Sequence, residues 1–289
     1  KALVSTRGGV GIDGMSALLP SGASSPWMAT CVVGCGYDAI VQVPAARWDV
    51  HAQMMLPEPV ASRVRHTGFV HGAELADNAM FSTSPAEAAA MDPCQRLLLE
   101  RGYAALHDAP LDRTALGGSL TGVFLGFAGT EFAQVLGASP AGGSVYAATG
   151  SSRAIASGRV SYTLGLHGPC VSYDTACSAA SVACHAGQCA LQRIECPTGL
   201  IAGVNAILMP DLSTAFAVAG MTLFGDIEEG HYGTLNFEHV NFHTFYSSVS
   251  VLIRSVRIAT CTSGDPVSPA FVANFWISSA LRSGVIDIV

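Results

Sequence analysis

Short unbroken apolar runs bounded by glycine alternate along the chain with stretches in which apolar residues recur at helical spacing. Gly122-Val-Phe-Leu-Gly126 is one such run. It has no polar position, which suits a parallel strand covered on both faces. Gly199-Leu-Ile-Ala-Gly-Val-Asn-Ala-Ile-Leu208 reads as a second buried strand, and Val10-Gly-Ile-Asp-Gly-Met15 as a shorter β-like run. Pro26 to Val33 reads as a short helix after the loop Leu19-Pro-Ser-Gly22. Ser84 with Glu87 has the spacing of a capping box, and Pro85 occupies the first helical position. Asp92 and Pro93 open the next helix in the same way. Leu97, Leu98 and Tyr103 supply its apolar face, and it stops near His107-Asp-Ala-Pro110. Residues 50–80 are irregular, and their histidines His51, His66 and His71 read as solvated loop positions.

The sharpest change of period lies in Gly168-Pro-Cys-Val-Ser-Tyr-Asp-Thr-Ala-Cys-Ser-Ala-Ala180. Val171 to Tyr173 are β-formers behind a Gly-Pro breaker, and from Ser178 the residues turn small and helical. The stretch therefore predicts strand, sharp turn and helix, with Cys177 at the corner. A sulfur there faces the first free N–H groups of the helix and its positive dipole end. Such a corner can present a nucleophile and hold an oxyanion together. The competing reading is a buried inert thiol, the common state of a free cysteine. A hydrolase-type nucleophile elbow is a third. It needs Gly-x-Ser/Cys-x-Gly, and Thr175-Ala-Cys-Ser-Ala179 lacks both glycines.

Composition narrows the classes of partner. Hydrophobic residues make up 50% of the 289 and charged residues 12%, about half the usual charged share. Such a chain must bury a large surface in α/β layers, in a subunit interface, or in both. The longest apolar run, Leu200 to Phe224, is broken by Asn205, Pro210 and Asp211. It therefore reads as buried core rather than a membrane span, which needs ~20 uninterrupted apolar residues. No long apolar segment follows the charges of Lys1-Ala-Leu-Val-Ser-Thr-Arg7, so no signal peptide is visible and an intracellular location is expected. A net charge of −7 argues against nucleic acid. Nine cysteines are too few for a disulfide scaffold in a chain of this length. Cys184, Cys189 and Cys196 with His185 match no paired C-x-x-C spacing, so no metal centre is assigned to them. Gly142-Gly143 is not followed by Gly-Lys-Ser/Thr and is not a phosphate loop.

Asp174-Thr-Ala-Cys-Ser178 resembles the nucleophile motif of the β-ketoacyl synthases, the condensing enzymes of polyketide and fatty-acid synthesis. Other blocks resemble the same family in the same order. They include Tyr37-Asp-Ala-Ile-Val-Gln-Val-Pro-Ala-Ala-Arg-Trp-Asp49, the paired helices from Phe81 to Glu100, Ala154-Ile-Ala-Ser-Gly-Arg-Val-Ser-Tyr-Thr-Leu-Gly-Leu-His-Gly-Pro169 and the strand from Gly199. In the helices Cys94 replaces a polar residue usual in the family, and a core-facing position is expected for it. The resemblance implies an α/β thiolase-like fold, of which this chain carries the N-terminal half: a mixed sheet flanked by helices, over residues 10–223. It implies Cys177 as catalytic nucleophile, supported by Asp174, Thr175, Ala176 and Ser178. It implies no bound cofactor, since the acyl groups ride on carrier-protein phosphopantetheine. It also implies acyl carrier protein as a partner and a homodimer through the strand Cys170 to Tyr173.

The family pattern ends near Leu223. Residues 224–289 form an atypical C-terminal tail with no recognisable block, expected to pack loosely against the rest. Family members also use two histidines in His-Gly-Thr-Gly-Thr-like and Gly-His-like blocks, and a lysine. Neither block occurs here, and Lys1 is the only lysine. His185, His231, His239 and His243 stand in other contexts. Two functional expectations follow. One is acyl transfer to Cys177 as part of decarboxylative Claisen condensation. The alternative is a catalytically incomplete remnant, acting as a scaffold or as the dimerisation partner of a full-length relative.

Overall fold

A computed structural model of the chain describes residues 10–35, 37, 39–49, 56–58, 60–221 and 251–258. In chain order the elements are β1 (Val10–Leu18), α1 (Pro26–Gly34), β2 (Ile40–Gln42), α2 (Val60–Arg63), β3 (His66–Gly68), α3 (Pro85–Ala90), α4 (Pro93–Asp108) and α5 (Arg113–Leu116). They continue with β4 (Gly122–Phe127), α6 (Phe132–Gly137), α7 (Ala147–Gly150), α8 (Arg153–Leu164), β5 (Cys170–Tyr173), α9 (Ala179–Gln192), β6 (Thr198–Val204), α10 (Pro210–Val218) and β7 (Val251–Ile258). Five strands form one mixed sheet in the order β1-β7-β6-β4-β5. β4 lies parallel to β5 and to β6, and β7 runs antiparallel to both β6 and β1. β2 and β3 make a separate antiparallel pair.

β4 and β6, the strands formed from the two glycine-bounded apolar runs, are buried at every position. Their faces nevertheless differ, because successive side chains of a strand point oppositely. Val123, Leu125 and Phe127 of β4, with Leu200, Ala202 and Val204 of β6, join Leu97, Leu98 and Leu106 of α4 and Val160 and Leu164 of α8 in the main core. Phe124 and Ile201 point the other way, into a smaller core with Ala183, Ala190 and Leu191 of α9. Burying a Leu or Phe side chain contributes roughly 1.5–3 kcal/mol, so the leucine-rich face dominates the energetics.

Polar groups stitch the main layer. Ser84 caps α3, accepting the Glu87 N–H at 3.2 Å. The Glu87 carboxylate does not close the expected capping box with the Ser84 backbone but pairs with Arg159 on α8. Arg159 Nε donates to Gln95 Oε1 at 2.7 Å. Buried Gln95 in turn shares its two Nε2 hydrogens among the carbonyls of Thr149 (3.1 Å), Gly150 (3.0 Å) and Ser152 (2.9 Å). That one amide satisfies carbonyl groups at the junction of α7 and α8 that no helix can satisfy.

Two expectations need correction. Val251–Ile258 is not loosely attached: it is β7, a central strand whose backbone is laddered to β1 on one side and β6 on the other. It carries no family motif, but its β-branched and apolar residues suit a sheet interior. The rest of 224–289 lies outside the described residues. His66 is not a loop residue but the first residue of β3, opposite Gln42; His51, His231, His239 and His243 lie outside the described residues. Cys94 is buried, as expected.

α8 and α9 end in the same hydrogen-bond pattern with different residues. After α8, Leu166 N–H reaches Ser161 O at 2.8 Å, and Gly165 takes the left-handed conformation at φ 68°. After α9, Glu195 N–H reaches Ala190 O at 2.9 Å, and exposed Ile194 takes φ 60°. Both are Schellman closures, whose left-handed position favours glycine. A β-branched residue there costs about 1–2 kcal/mol, against roughly 0.5–1 kcal/mol of extra chain entropy for glycine. Ile194→Gly is expected to stabilise the fold by about 0.5–1 kcal/mol in urea titration; a lower midpoint would show that Ile194 earns its place by packing.

Asp92 caps α4, accepting the Cys94 N–H at 2.8 Å. Its burial nevertheless raises the carboxyl to about 6, and burial raises Glu131 in the same direction. Between about pH 4 and pH 6 the folded chain therefore keeps a proton on Asp92 that the unfolded chain has released. Stability falls as pH rises through that window, by up to about 3 kcal/mol from Asp92. Asp92→Asn keeps the capping oxygen and removes this slope. Urea midpoints at pH 4.5 and pH 7 should converge in the variant, and an unchanged pH difference would refute the assignment.

Candidate active site

The corner predicted around Cys177 is present. β5 ends at Tyr173, a single 3₁₀ turn spans Ala176–Ser178, and α9 begins at Ala179. Cys177 occupies the centre of the 3₁₀ turn, one step ahead of the first turn of α9. Asp174, Thr175, Ala176, Cys177 and Ser178 are all exposed, so the inert buried-thiol reading does not describe Cys177.

The corner is tight because Ala176 adopts φ 52°, a conformation costly for a residue with a Cβ. Asp174 holds it there. Its Oδ1 accepts the Ala176 N–H at 3.3 Å, the local pattern by which Asp side chains build turns. Its other oxygen pairs with Arg153, whose Nη1 also donates to Ala128 O at 3.3 Å. Ser178 Oγ donates to Thr175 O at 2.8 Å and contacts Thr175 Oγ1 at 2.9 Å, so its hydroxyl closes the turn rather than capping α9. The structure thus brings all five sequence-predicted residues into one bonded loop. Arg153 is the member that sequence reasoning did not single out. It stands one residue ahead of the family block that begins at Ala154, and nothing in its spacing pairs it with Asp174.

α8 braces the strand as well as the turn. Ser172 Oγ on β5 donates to Ser157 Oγ on α8 at 2.9 Å. On the opposite face α9 sits directly on the sheet. A Cβ at Gly126 would lie 2.4 Å from the Ala179 carbonyl carbon and the Ala180 nitrogen, and one at Gly203 would lie 2.5 Å from the Ala180 Cβ. These contacts fix where the helix begins and hence where Cys177 stands. Clefts of about 500 and 110 Å³ lie elsewhere, the first beside Pro26 and Asp108 and the second around Phe69 and Arg96. Neither reaches Cys177, which stands on open surface.

Cys35 and Cys170 are exposed as Cys177 is, and the other described cysteines are more covered. Cys94 is fully buried, and burial pushes its thiol well above the ordinary range, helped by the charge of Asp92. Burial also raises the Cys196 thiol. Cys184 packs against the core of Phe124 and Ile201, while Cys189 lies 3.6 Å from His185 Nε2 on the outer side of α9.

Residues 8–228 match the family model described as beta-ketoacyl synthase, N-terminal domain. The chain is similar to polyketide synthase GfsB of Streptomyces halstedii, at 42% identity over 215 residues, covering 73% of this chain and 4% of that protein. It is also similar to the pikromycin polyketide synthase component PikAII of Streptomyces venezuelae, at 42% identity over 72% of this chain and 6% of the relative. It therefore spans only a small part of the length of these relatives. Among solved structures, a ketosynthase from module 6 of the bacillaene synthase of Bacillus subtilis 168 superposes with a TM-score of 0.69 at 27% identity. That match covers 86% of this chain and 40% of the other. The sheet described above is accordingly the N-terminal part of a thiolase-like fold.

Exposure and the buried state of Cys94 and Cys196 predict an order of reactivity. Under limiting iodoacetamide, peptide mass spectrometry should find Cys177 alkylated ahead of Cys31, Cys94 and Cys196. Earlier labelling of any of those three would contradict the nucleophile reading.

Proposed function

The chain belongs to the β-ketoacyl synthase family, and from that premise we propose that Cys177 is its acyl-accepting nucleophile in polyketide or fatty-acid condensation. The supporting observation is the exposed thiol at a strand-to-helix corner held by Asp174 and Arg153. In the first half-reaction the Cys177 sulfur attacks the thioester carbonyl of an acyl group on carrier-protein phosphopantetheine. The tetrahedral intermediate collapses, the pantetheine thiol leaves with the proton, and the acyl group remains on Cys177. The protein itself holds no cofactor in this scheme; the pantetheine arm arrives with the carrier protein.

The second half-reaction makes a heavier demand. A malonyl-type extender loses carbon dioxide, and the resulting enolate attacks the Cys177 thioester. The enolate needs positioned donors or cations. The family's two histidines and lysine fill that role, and these 289 residues carry neither histidine block and no lysine beyond Lys1. We assign residues 10–223 to the ketosynthase N-terminal region and expect this chain alone to stop at the acyl-enzyme.

The alternative, a scaffold or dimerisation partner of a full-length relative, draws support from the sheet edge. β5 is the outermost strand, and its Cys170 and Val171 are exposed. An unpaired edge is a template for a second chain, so homodimerisation, or association with a full-length relative, is part of both readings.

Incubation with an acyl-N-acetylcysteamine thioester should add one acyl mass to the Cys177 peptide and none to the Cys177→Ala variant. Adding malonyl-carrier protein should yield no ketide. Ketide formation would show that the chain completes the reaction by itself. No acylation, together with co-sedimentation with a full-length ketosynthase, would favour the scaffold.

A further inference from the structure

His185 and Cys189 lie one helical turn apart on α9, and neither takes part in the chemistry proposed for Cys177. Cys189 Sγ stands 3.6 Å from His185 Nε2. We propose that this pair is a two-point binding site for a thiophilic divalent cation of the zinc type. The sequence sets the Cys184–Cys196 group aside as a metal centre for want of a paired motif. The geometry brings back two of its members and excludes the others: Cys184 is turned into the core and Cys196 is buried.

The spacing carries the argument. Zinc binds thiolate sulfur at about 2.3 Å and imidazole nitrogen at about 2.0–2.1 Å; at a tetrahedral angle the sulfur-to-nitrogen edge is then about 3.5 Å. The pair already stands at that edge. Residues four apart on a helix are neighbours by construction, so the helix supplies the alignment and binding has little backbone left to order. His185 is exposed and Cys189 half-buried, so an ion can reach both from solvent. The charge nearest in sequence is Arg193, one turn on from Cys189, and Glu195 stands 3.9 Å from it and offsets it. The site is separate from the nucleophile, since His185 and Cys189 lie eight and twelve residues beyond Cys177, roughly 12 and 18 Å along a helix.

Binding is a ligand exchange without redox change. The Cys189 S–H bond breaks, the sulfur–metal bond forms, and one proton leaves to solvent for each ion bound. Neutral His185 donates the Nε2 lone pair, and two water molecules complete a four-coordinate shell. A plain thiol–imidazole hydrogen bond would show the same spacing, so the test must read the metal directly.

The probe is Co²⁺, titrated anaerobically into the full chain. One equivalent should produce a near-ultraviolet sulfur-to-cobalt charge-transfer band, with release of one proton, and Zn²⁺ should bleach that band. Cys189→Ser should abolish the band. His185→Ala should weaken binding on the order of tenfold or more, since even indirect support of a metal ligand is worth that much. Cys177→Ser should leave the titration unchanged. Circular dichroism checks that each variant is folded. A band that survives Cys189→Ser, equal affinity in His185→Ala, or no band at all in the parent chain would each overturn the proposal. The last outcome leaves His185 and Cys189 as a hydrogen-bonded pair only.

Discussion

The seating of α9 on the sheet is the contact from which the rest of the site follows. Its first residues, Ala179 and Ala180, rest on the backbone of β4 and β6 where Gly126 and Gly203 lack side chains. A helix normally packs at the distance its side chains dictate. Here the absent side chain at Gly126 lets helix backbone meet strand backbone, and the one at Gly203 makes room for the Ala180 methyl. The start of α9 is then fixed to within a fraction of a methyl group. With the helix start fixed and β5 held parallel to β4, only Asp174 to Ser178 remain to join them. So short a connection has few conformations, and one residue must take a left-handed backbone. Ala176 is that residue, and its strain is maintained by surroundings that leave no alternative.

Those surroundings reach well into the opposite layer. Arg153, the first residue of α8, pairs with Asp174 of the corner, and Ser157, one turn on, bonds to Ser172 of β5. Arg159 of the same helix bonds Gln95 of α4 and pairs with Glu87 of α3. One helix thus carries the position of the corner into the leucine-rich core. The Asp174–Arg153 pair is partly exposed and contributes little to stability as a Coulomb term. Its larger effect is directional, because it sets which way the Asp174 carboxylate faces and hence which N–H it accepts.

Most of this architecture is legible in the residues. The glycine-bounded runs of β4 and β6, the Ser84 and Asp92 caps and the β5-turn-α9 stretch all carry local signals, and local signals survive into the structure. Three features were not legible for three different reasons. The unequal faces of β4 and β6 are hidden because a run that is apolar throughout looks the same from both sides. Only the positions of Gly126 and Gly203 within it differ, and their meaning depends on a helix far along the chain. The Asp174–Arg153 pair joins residues with no periodic relation. β7 carries no motif, because a strand inside a sheet needs only a β-competent octapeptide and two free neighbours. β1 and β6 supplied those neighbours.

The exposure of Cys177 divides the family's chemistry physically. Thioester exchange at a thiol proceeds in water, so an open corner with correct geometry is enough for it. Stabilising an enolate is different. Two unit charges 4 Å apart attract by about 1 kcal/mol in bulk water and by about 4 kcal/mol at the effective dielectric of a protein surface. The same donors gain strength only when a second layer excludes solvent. Among the described residues, Asp174 to Ser178 stand exposed at the end of β5. On the proposed reading, the second half-reaction therefore calls for cationic groups and for a cover that makes them effective, and one covering surface can supply both. Among the described residues Val171, on the edge strand β5, is exposed too, so on the proposed reading the surface that covers the nucleophile and the one that pairs with the sheet edge lie close together, at the two ends of the short link from β5 to α9.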